Sequence, residues 1–231
     1  MSTMAEDYLK ILWKAEERGT GPVTTRDIAS ILGVAASSVS GNLRKLDRDE
    51  LIVHEPYYRI ALTDRGRRVA VGMVRRHRLI ETFLVDQLGY GWHEVHDEAE
   101  VLEHAVSDTF LERIDALLGH PSVDPHGDPI PSADGVVPTT PGALIAALPE
   151  GSCGTVARVY DDRPELLQYL AERGIALGGH VRVLQRMHGA GILRVERAET
   201  AGSHEQPVDL PDAAADAIWL APDEHAAQLP A

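Results

Sequence analysis

Residues that bind divalent cations are concentrated in the middle of the chain. Between positions 86 and 134 the sequence holds twelve Asp and Glu, one Arg and five of the eleven His. At about 100° per residue, four groups on a helix predicted from His93 to about Asp108 fall within an arc of about 100° that borders its apolar face. These groups are His96, Glu100, Glu103 and His104. Polar groups at such a place need partners, and carboxylates with imidazoles indicate a metal site.

The preceding predicted helix, which runs from residue 63 or 64 to about 87, adds His77 and Glu81 one turn apart. Together the two helices could bring three His and three carboxylates to one place. Taken singly, each group is more simply explained as a solvated surface side chain. His126 has no partner at helical spacing and is predicted to be a surface or turn residue, and Cys153 to be a small buried one.

The same ligand types also build catalytic centres, so a carboxylate and His metalloenzyme is an alternative. However, no candidate nucleophile accompanies the cluster, and the sequence has neither a Gly-rich phosphate loop nor an HExxH motif. The sequence therefore favours a protein that has no catalytic activity and no small organic substrate.

Length and composition exclude several other classes of protein. With 231 residues, 44% of them hydrophobic and 25% charged, the chain is typical of a globular protein and unlike a disordered or fibrous one. A single cysteine excludes a disulfide framework and multi-cysteine zinc sites. No apolar run approaches the roughly 20 residues that cross a bilayer, and the first residues are acidic and polar. We therefore expect a cytoplasmic protein with no membrane partner.

The net charge of −14 is divided unevenly along the chain. Residues 1–80 hold 14 Lys and Arg against 10 Asp and Glu, whereas residues 81–231 hold 8 against 26. Because phosphate binding needs only a local basic surface, the first part of the chain is the candidate for binding double-stranded DNA.

Three predicted helices and a hairpin in this basic part have the pattern of a winged helix-turn-helix, whose recognition helix lies in the major groove. The helices cover about residues 5–18, 25–32 and 37–50, and two short strands flank a turn at 55–58. The third helix buries its apolar stripe, which leaves polar and basic groups on its other faces. The candidates for DNA contact are Ser37, Ser38, Ser40, Asn42, Arg44 and Lys45, with Arg59 on the hairpin.

The remainder of the chain predicts a helical region followed by a small β domain. Seven prolines between residues 119 and 149 indicate a linker or an extended wrap. Short β-rich runs beyond it are typical of a small all-β barrel of about 70 residues. The predicted boundaries are 1–73 for the winged helix-turn-helix, 74–140 for a helical dimerisation and metal-binding domain, 141–150 for a linker, 151–221 for the barrel and 222–231 for a frayed tail.

Several short motifs extend over essentially the whole chain. They are Asp7-Tyr8-Leu9, Ser37-Ser38-Val39-Ser40, Leu62-Thr63-Asp64-Arg65-Gly66, Arg76-His77-Arg78-Leu79, the run from Glu94 to Glu100 with Glu103-His104, and the run from Asp124 to Pro131. Together they resemble the diphtheria-toxin-repressor family of metal-dependent transcription repressors, and within it the manganese-transport regulators. The resemblance implies a mainly α N-terminal two thirds, an SH3-like C-terminal barrel, and a homodimer whose metal-loaded form binds operator DNA.

The resemblance also implies two metal sites in each subunit. It places one at His77, Glu81 and His96, and the other at Asp7, Glu100, Glu103 and His104. An ion at the second site would tether Asp7 of the DNA-binding domain to the dimerisation domain and order the former for operator binding. The third domain would offer Asp161, Asp162 or Glu165 as a further ligand.

Ligand type separates the two effectors that the resemblance allows. In the iron-sensing members Met and Cys stand at the positions of Asp7 and Glu100, whereas the carboxylates here suit Mn²⁺. We therefore expect a Mn²⁺-activated repressor of metal-uptake genes, with an Fe²⁺-responsive repressor as the alternative. Lys10 stands where some manganese regulators carry a second acid, which argues against a directly bridged metal pair.

Arg78 marks a further departure from the iron-sensing relatives. Those relatives bind an anion with the matching Arg and with nearby Ser and Asn residues, which Asp124 and Asp128 replace here. We therefore predict a salt bridge from Arg78 to a carboxylate in place of the anion.

Overall fold

The computed structural model describes residues 2–54, 59–160, 163–198 and 207–222. The predicted turn at 55–58, the candidate ligands Asp161 and Asp162, and all but the first residue of the predicted tail lie outside the described residues. The chain divides into two compact units. The first comprises Met1–His77, Val101–Leu111 and Pro131–Val137, and the second comprises Arg78–Glu100, Glu112–Ile130 and Pro138–Ala231. No helix among the described residues is long and apolar enough to span a membrane.

The first unit contains the predicted winged helix-turn-helix. Its elements are α1 (Thr3–Arg18), α2 (Thr25–Ile31), α3 (Ala36–Arg48), β1 (Ile52–His54), β2 (Ile60–Leu62) and the first part of α4 (Asp64–Leu88). Helix α2 begins with a capping box, in which Asp27 N donates to Thr24 Oγ1 and Thr24 N donates to Asp27 Oδ2. Strands β1 and β2 pair antiparallel, with Val53 opposite Ala61.

Apolar side chains of α1, α3 and α4 form the core of this unit. Tyr8, Val39 and Leu43 are fully buried, and Val74 is almost so. Burial of an apolar side chain of this size contributes about 1.5 to 3 kcal/mol. Because α1 and α3 share one core, a restraint on α1 is also a restraint on the position of α3.

Helix α5 is shorter than predicted. It runs over Val95–Leu102, a turn follows, and α6 begins at Asp108 and ends at Leu117. The N–H groups of Ala105 and Val106 both bond to Leu102 O, and the Arg76 guanidinium donates to Val106 O at 2.9 Å. The prediction that Glu103 and His104 continue the helix of His96 and Glu100 was therefore wrong, because both lie in the turn.

The second unit contains a six-stranded antiparallel sheet. Its strands are β3 (Ala143–Leu144), β4 (Cys153–Val159), β5 (His180–Met187), β6 (Ile192–Ala198), β7 (Val208–Pro211) and β8 (Ile218–Pro222), in the order β3-β8-β4-β5-β6-β7. Helices α7 (Pro164–Glu172) and α8 (Asp212–Ala215) complete it. The segment predicted as a linker, 141–150, contains β3 and a 3-10 turn in which Ile145 is fully buried. Part of this segment therefore belongs to the sheet domain, with Ile145 in its core.

Gly66 in the first turn of α4 tests the packing of the first unit. A Cβ at this position would lie 1.8 Å from Leu51 O, so an alanine forces the helix and this backbone apart. We expect Gly66→Ala to lower the free energy of unfolding by about 2 to 3 kcal/mol, measured by urea denaturation. Gly72 on the same helix is exposed and has no atom within 4 Å of a built Cβ, so Gly72→Ala is the control and should stabilise by about 1 kcal/mol. Equal effects of the two substitutions would contradict this packing.

Candidate metal centres and nucleic-acid interface

Three potential ligands meet in the first unit, and we call them the Asp7 cluster: Asp7, Glu103 and His104. Asp7 lies on α1, and the other two lie in the turn after α5. His104 Nε2 is 2.9 Å from Asp7 Oδ1 and 3.4 Å from Glu103 Oε1. One ligand atom of each residue lies within 4.8 Å of the others. Two carboxylates and an imidazole at these distances are a donor set that fits a divalent cation.

Glu103 is fully buried between two basic side chains. Lys10 Nζ donates to Glu103 Oε1 at 2.6 Å, and His77 Nδ1 lies 2.6 Å from Oε2. Lys10 is itself only 4% exposed, so both members of the ion pair are removed from water. A buried carboxylate is tolerated only with such compensation. One oxygen of Glu103 therefore faces a cation that the chain supplies itself.

The ring of His104 is oriented by carboxylates at both nitrogens. Its Nε2 faces Asp7 and Glu103, and its Nδ1 lies 2.9 Å from Glu6 Oε2. A carboxylate on the second nitrogen of a ligating His fixes the ring orientation in many metal sites. Glu6 was not among the residues predicted for this site, although it is adjacent to Asp7.

Another group of potential ligands lies in the second unit, and we call it the Glu81 cluster: Glu81 of α4, with Asp124 and His126 of the loop after α6. All three are buried, and one ligand atom of each lies within 4.8 Å of the others. His126 Nε2 donates to Trp92 O at 2.6 Å, because a carbonyl can only accept. In the neutral ring the lone pair is then on Nδ1, which lies 3.7 Å from Glu81 Oε2. The Glu81 cluster therefore also has a donor set that fits a metal.

Negative charge is concentrated around Asp124. Burial raises the pKa of Asp124 well above its ordinary value, and the carboxylates of Asp128 and Glu81 raise it further. Arg78 opposes them, with Nη2 at 3.1 Å from Asp128 Oδ2 and Nε at 3.7 Å from Asp124 Oδ2. The predicted salt bridge of Arg78 is thereby confirmed. Among so many buried acids, a bound divalent cation would be the largest local positive charge.

The remaining predicted ligands differ in whether the structure brings them close to other ligands. In the second unit, His96 Nδ1 lies 3.2 Å from Glu81 Oε1 and Nε2 lies 3.6 Å from Glu100 Oε1. These contacts bring three predicted ligands together. By contrast, Glu165 is an exposed residue of α7.

His126 lies in a turn, which was one of the two predicted places, but its side chain is fully buried and not at the surface. The sequence Asp124-Pro125-His126-Gly127-Asp128, in which polar residues alternate with Pro and Gly, could have indicated a structured loop here. Asp residues separated by Pro and Gly are typical of a tight turn, in which an Asp side chain accepts hydrogen bonds from nearby backbone N–H groups. The high proline content around this segment favoured a linker instead.

Helix α3 presents a polar and basic surface in the first unit. The exposed candidates for DNA contact are Ser37, Ser38, Arg44, Lys45 and Arg59. Ser40 is half-buried and donates to Ala36 O at 3.0 Å. Asn42 is also half-buried, and its Nδ2 donates to the hydroxyl of Tyr8 at 3.3 Å, which connects α3 to α1.

Three segments of the chain match known families. Residues 1–60 match the iron dependent repressor N-terminal DNA binding domain, residues 63–132 the iron dependent repressor metal binding and dimerisation domain, and residues 144–222 the FeoA domain. The iron-dependent repressor IdeR of Mycobacterium tuberculosis is 34% identical over 196 residues, which are 81% of this chain and 79% of that protein. The chain belongs to the iron-dependent repressor family.

Solved structures of other iron-dependent-repressor relatives have the same fold. A manganese-dependent transcriptional repressor in complex with manganese is 51% identical, with a TM-score of 0.89 over 94% of this chain and 99% of that one. ScaR with bound Cd²⁺ is 34% identical, with a TM-score of 0.82 over 95% of this chain and 99% of that one. The predicted fold, helical with a helix-turn-helix and followed by a small SH3-like β domain, is confirmed.

Membership of the iron-dependent repressor family settles the class of function. The protein is a metal-dependent, DNA-binding transcriptional repressor and not an enzyme. Its DNA-binding and dimerisation domains give it operator DNA and a second copy of the chain as partners, and its cofactor is a divalent metal ion.

Lys10 offers a test of the buried charge in this repressor. Removing one member of a buried ion pair leaves the other uncompensated, so Lys10→Met should destabilise the metal-free protein by about 3 kcal/mol. Urea denaturation in EDTA measures this loss, and added Mn²⁺ should reduce it by bringing positive charge to Glu103. Arg26→Met, which removes an exposed cation from α2, is the control and should have little effect. If both substitutions cost the same, Lys10 does not compensate Glu103.

Proposed function

We propose that this family member is a Mn²⁺-activated homodimeric repressor of metal-uptake genes. The observation that carries the proposal is the Asp7 cluster, because it joins a carboxylate on α1, a helix of the DNA-binding domain, to ligands in the turn after α5. We also propose a cytoplasmic location, since its operator DNA lies there.

Oxygen ligands support manganese as the effector. The Asp7 cluster contributes two carboxylates and one imidazole, and the sulfur ligands that would favour a softer metal are absent from it. Several relatives of known structure are named for manganese, as manganese-dependent repressors or manganese regulators. The alternative is an Fe²⁺-responsive repressor, which the name of the iron-dependent repressor IdeR supports.

We assign ligands as follows. One ion is held by the Asp7 cluster. The family resemblance adds Glu100 to this site, whereas in the structure Glu100 lies beside His96, with its Oε1 3.6 Å from His96 Nε2. The other is held around Glu81, whose two oxygens face His96 and His126. The resemblance adds His77 to this second set, and the position of Asp124 in the Glu81 cluster supports it as a further ligand.

The side chains of α1 couple the Asp7 cluster to the DNA-reading helix. Asp7 precedes Tyr8, which is fully buried in the core shared with α3 and whose hydroxyl accepts the hydrogen bond from Asn42. A divalent ion bound there supplies positive charge that Asp7 and Glu103 can share. Holding Asp7 at the turn restrains α1 and, through Tyr8, the orientation of α3. The free energy of metal binding thereby favours the conformation that binds the operator.

Fluorescence anisotropy tests the effector directly. The protein is titrated into a labelled DNA fragment from upstream of a manganese-transporter gene, in EDTA, in Mn²⁺ or in anaerobic Fe²⁺. We expect tight binding with Mn²⁺ only. Binding with Fe²⁺ only would replace manganese by iron, an equal response would remove the proposed selectivity, and no response to either metal would contradict the proposal.

Substitution of Asp7 tests the coupling. Asp7→Ala should reduce operator affinity in Mn²⁺ to the metal-free level while the dimer persists, because the change removes the ligand on α1 but no part of the core. The same anisotropy titration and light scattering measure these effects. Glu172→Ala, which removes an exposed carboxylate from α7, should bind operator as the unmodified protein does. Full Mn²⁺-stimulated binding by Asp7→Ala would contradict the coupling.

A further inference from the structure

The buried loop that carries Asp124 and His126 is held against strand β4. Val159 N donates to His126 O at 2.8 Å. A Cβ on Gly127 would lie 2.0 Å from Ala157 O, and the φ of Gly127 is +82°. Only glycine permits both this close approach and this backbone conformation. The backbone of the loop is therefore positioned by a strand of the C-terminal sheet domain.

Side chains hold the same contact. Arg158 of β4 is only 5% exposed, and its Nε forms an ion pair with Asp128 Oδ1. The other oxygen of Asp128 accepts from Arg78, which also donates to Pro129 O at 2.7 Å. Asp128 thus bridges an arginine of α4, the helix that carries Glu81, and an arginine of β4.

Within the loop, this anchoring determines where Asp124 points. Asp124 Oδ1 accepts from the N–H groups of His126 and Asp128 at 2.8 and 2.9 Å. These two bonds close a tight turn in which Oδ2 accepts no hydrogen bond from the described residues and faces Arg78 Nε at 3.7 Å. If Asp128 were released from β4, both the turn and the direction of Asp124 would be free to change.

We propose that Arg158 is a positioning residue for the Glu81 cluster and that the C-terminal sheet domain thereby sets the metal affinity of that cluster. The domain does this without having to supply a ligand from β4. The inference rests on the proposed metal role of the Glu81 cluster.

Mn²⁺ binding tests the proposal on the full-length protein. The free Mn²⁺ signal in electron paramagnetic resonance gives the number and affinity of bound ions, and Asp7→Ala as the background weakens the other site. In that background we expect Arg158→Met to weaken the remaining Mn²⁺ binding by about 10- to 100-fold. Arg158→Lys should restore part of it, because an ammonium can still pair with Asp128. Gly127→Ala should also weaken Mn²⁺ binding, because the added Cβ would push the backbone of the loop away from β4.

Arg194→Met is the matched control. Arg194 forms an ion pair with Asp209 across β6 and β7 of the same sheet, but their side chains are 41% and 45% exposed, unlike that of Arg158. We expect it to leave Mn²⁺ binding unchanged, and thermal melting shows whether each variant is folded. In the presence of Asp7, Arg158→Met should also leave the ion at the Asp7 cluster in place, which a general loss of structure would not do.

The possible failures are distinguishable. If Asp7→Ala alone binds no Mn²⁺, the Glu81 cluster is not a manganese site, and the proposed ligand assignment fails together with the inference. If Asp7→Ala binds Mn²⁺ and a folded Arg158→Met variant binds it equally well, the ligand assignment survives and the positioning role is overturned. Loss of Mn²⁺ binding at both sites in the Arg158→Met variant would also overturn the positioning role.

Discussion

A carboxylate buried in a protein interior is costly unless positive charge accompanies it, and Glu103 is fully buried. The chain meets this constraint with Lys10 and His77, whose nitrogens each lie 2.6 Å from a different oxygen of Glu103. The ion pair connects α1 to the turn after α5 before any metal is considered. Asp7 and His104 extend the same group of charges toward solvent, where an external cation can bind. The structure therefore combines a cation that belongs to the chain, the ammonium group of Lys10, with a site at which a metal ion can bind when it is available.

The same constraint organises the second unit around different residues. Three buried acids, Glu81, Asp124 and Asp128, are opposed by Arg78 and Arg158. Arg158 belongs to the sheet domain, so the balance of charge at this cluster depends on a strand far from α4 in sequence. The two clusters differ in what they can control. The Asp7 cluster includes a residue of α1 that shares a core with the DNA-reading helix, whereas the Glu81 cluster joins the sheet domain to the middle of the chain.

The parts of the fold that the sequence predicted are those determined by local interactions. Apolar periodicity and the Thr24–Asp27 capping box identified α1 to α3, and alternating β-rich runs identified the sheet domain. The end of α5 at Leu102 was missed because it depends on Arg76 and Lys10, which contact the turn from other helices. The burial of His126 was missed for the same reason, since its partners Trp92 and Val159 come from distant segments. Ligand types could be recognised from the sequence, but their grouping depends on tertiary contacts.

The central claim is that a metal ion at the Asp7 cluster joins α1 to the turn after α5. Amide hydrogen exchange in the metal-free and the Mn²⁺-loaded protein tests this claim most directly, because it reports local opening of each backbone segment. We expect slower exchange over residues 3–18 and 101–108 when Mn²⁺ is bound, and no such protection in Asp7→Ala. Stoichiometric Mn²⁺ binding that leaves exchange in both segments unchanged would contradict it.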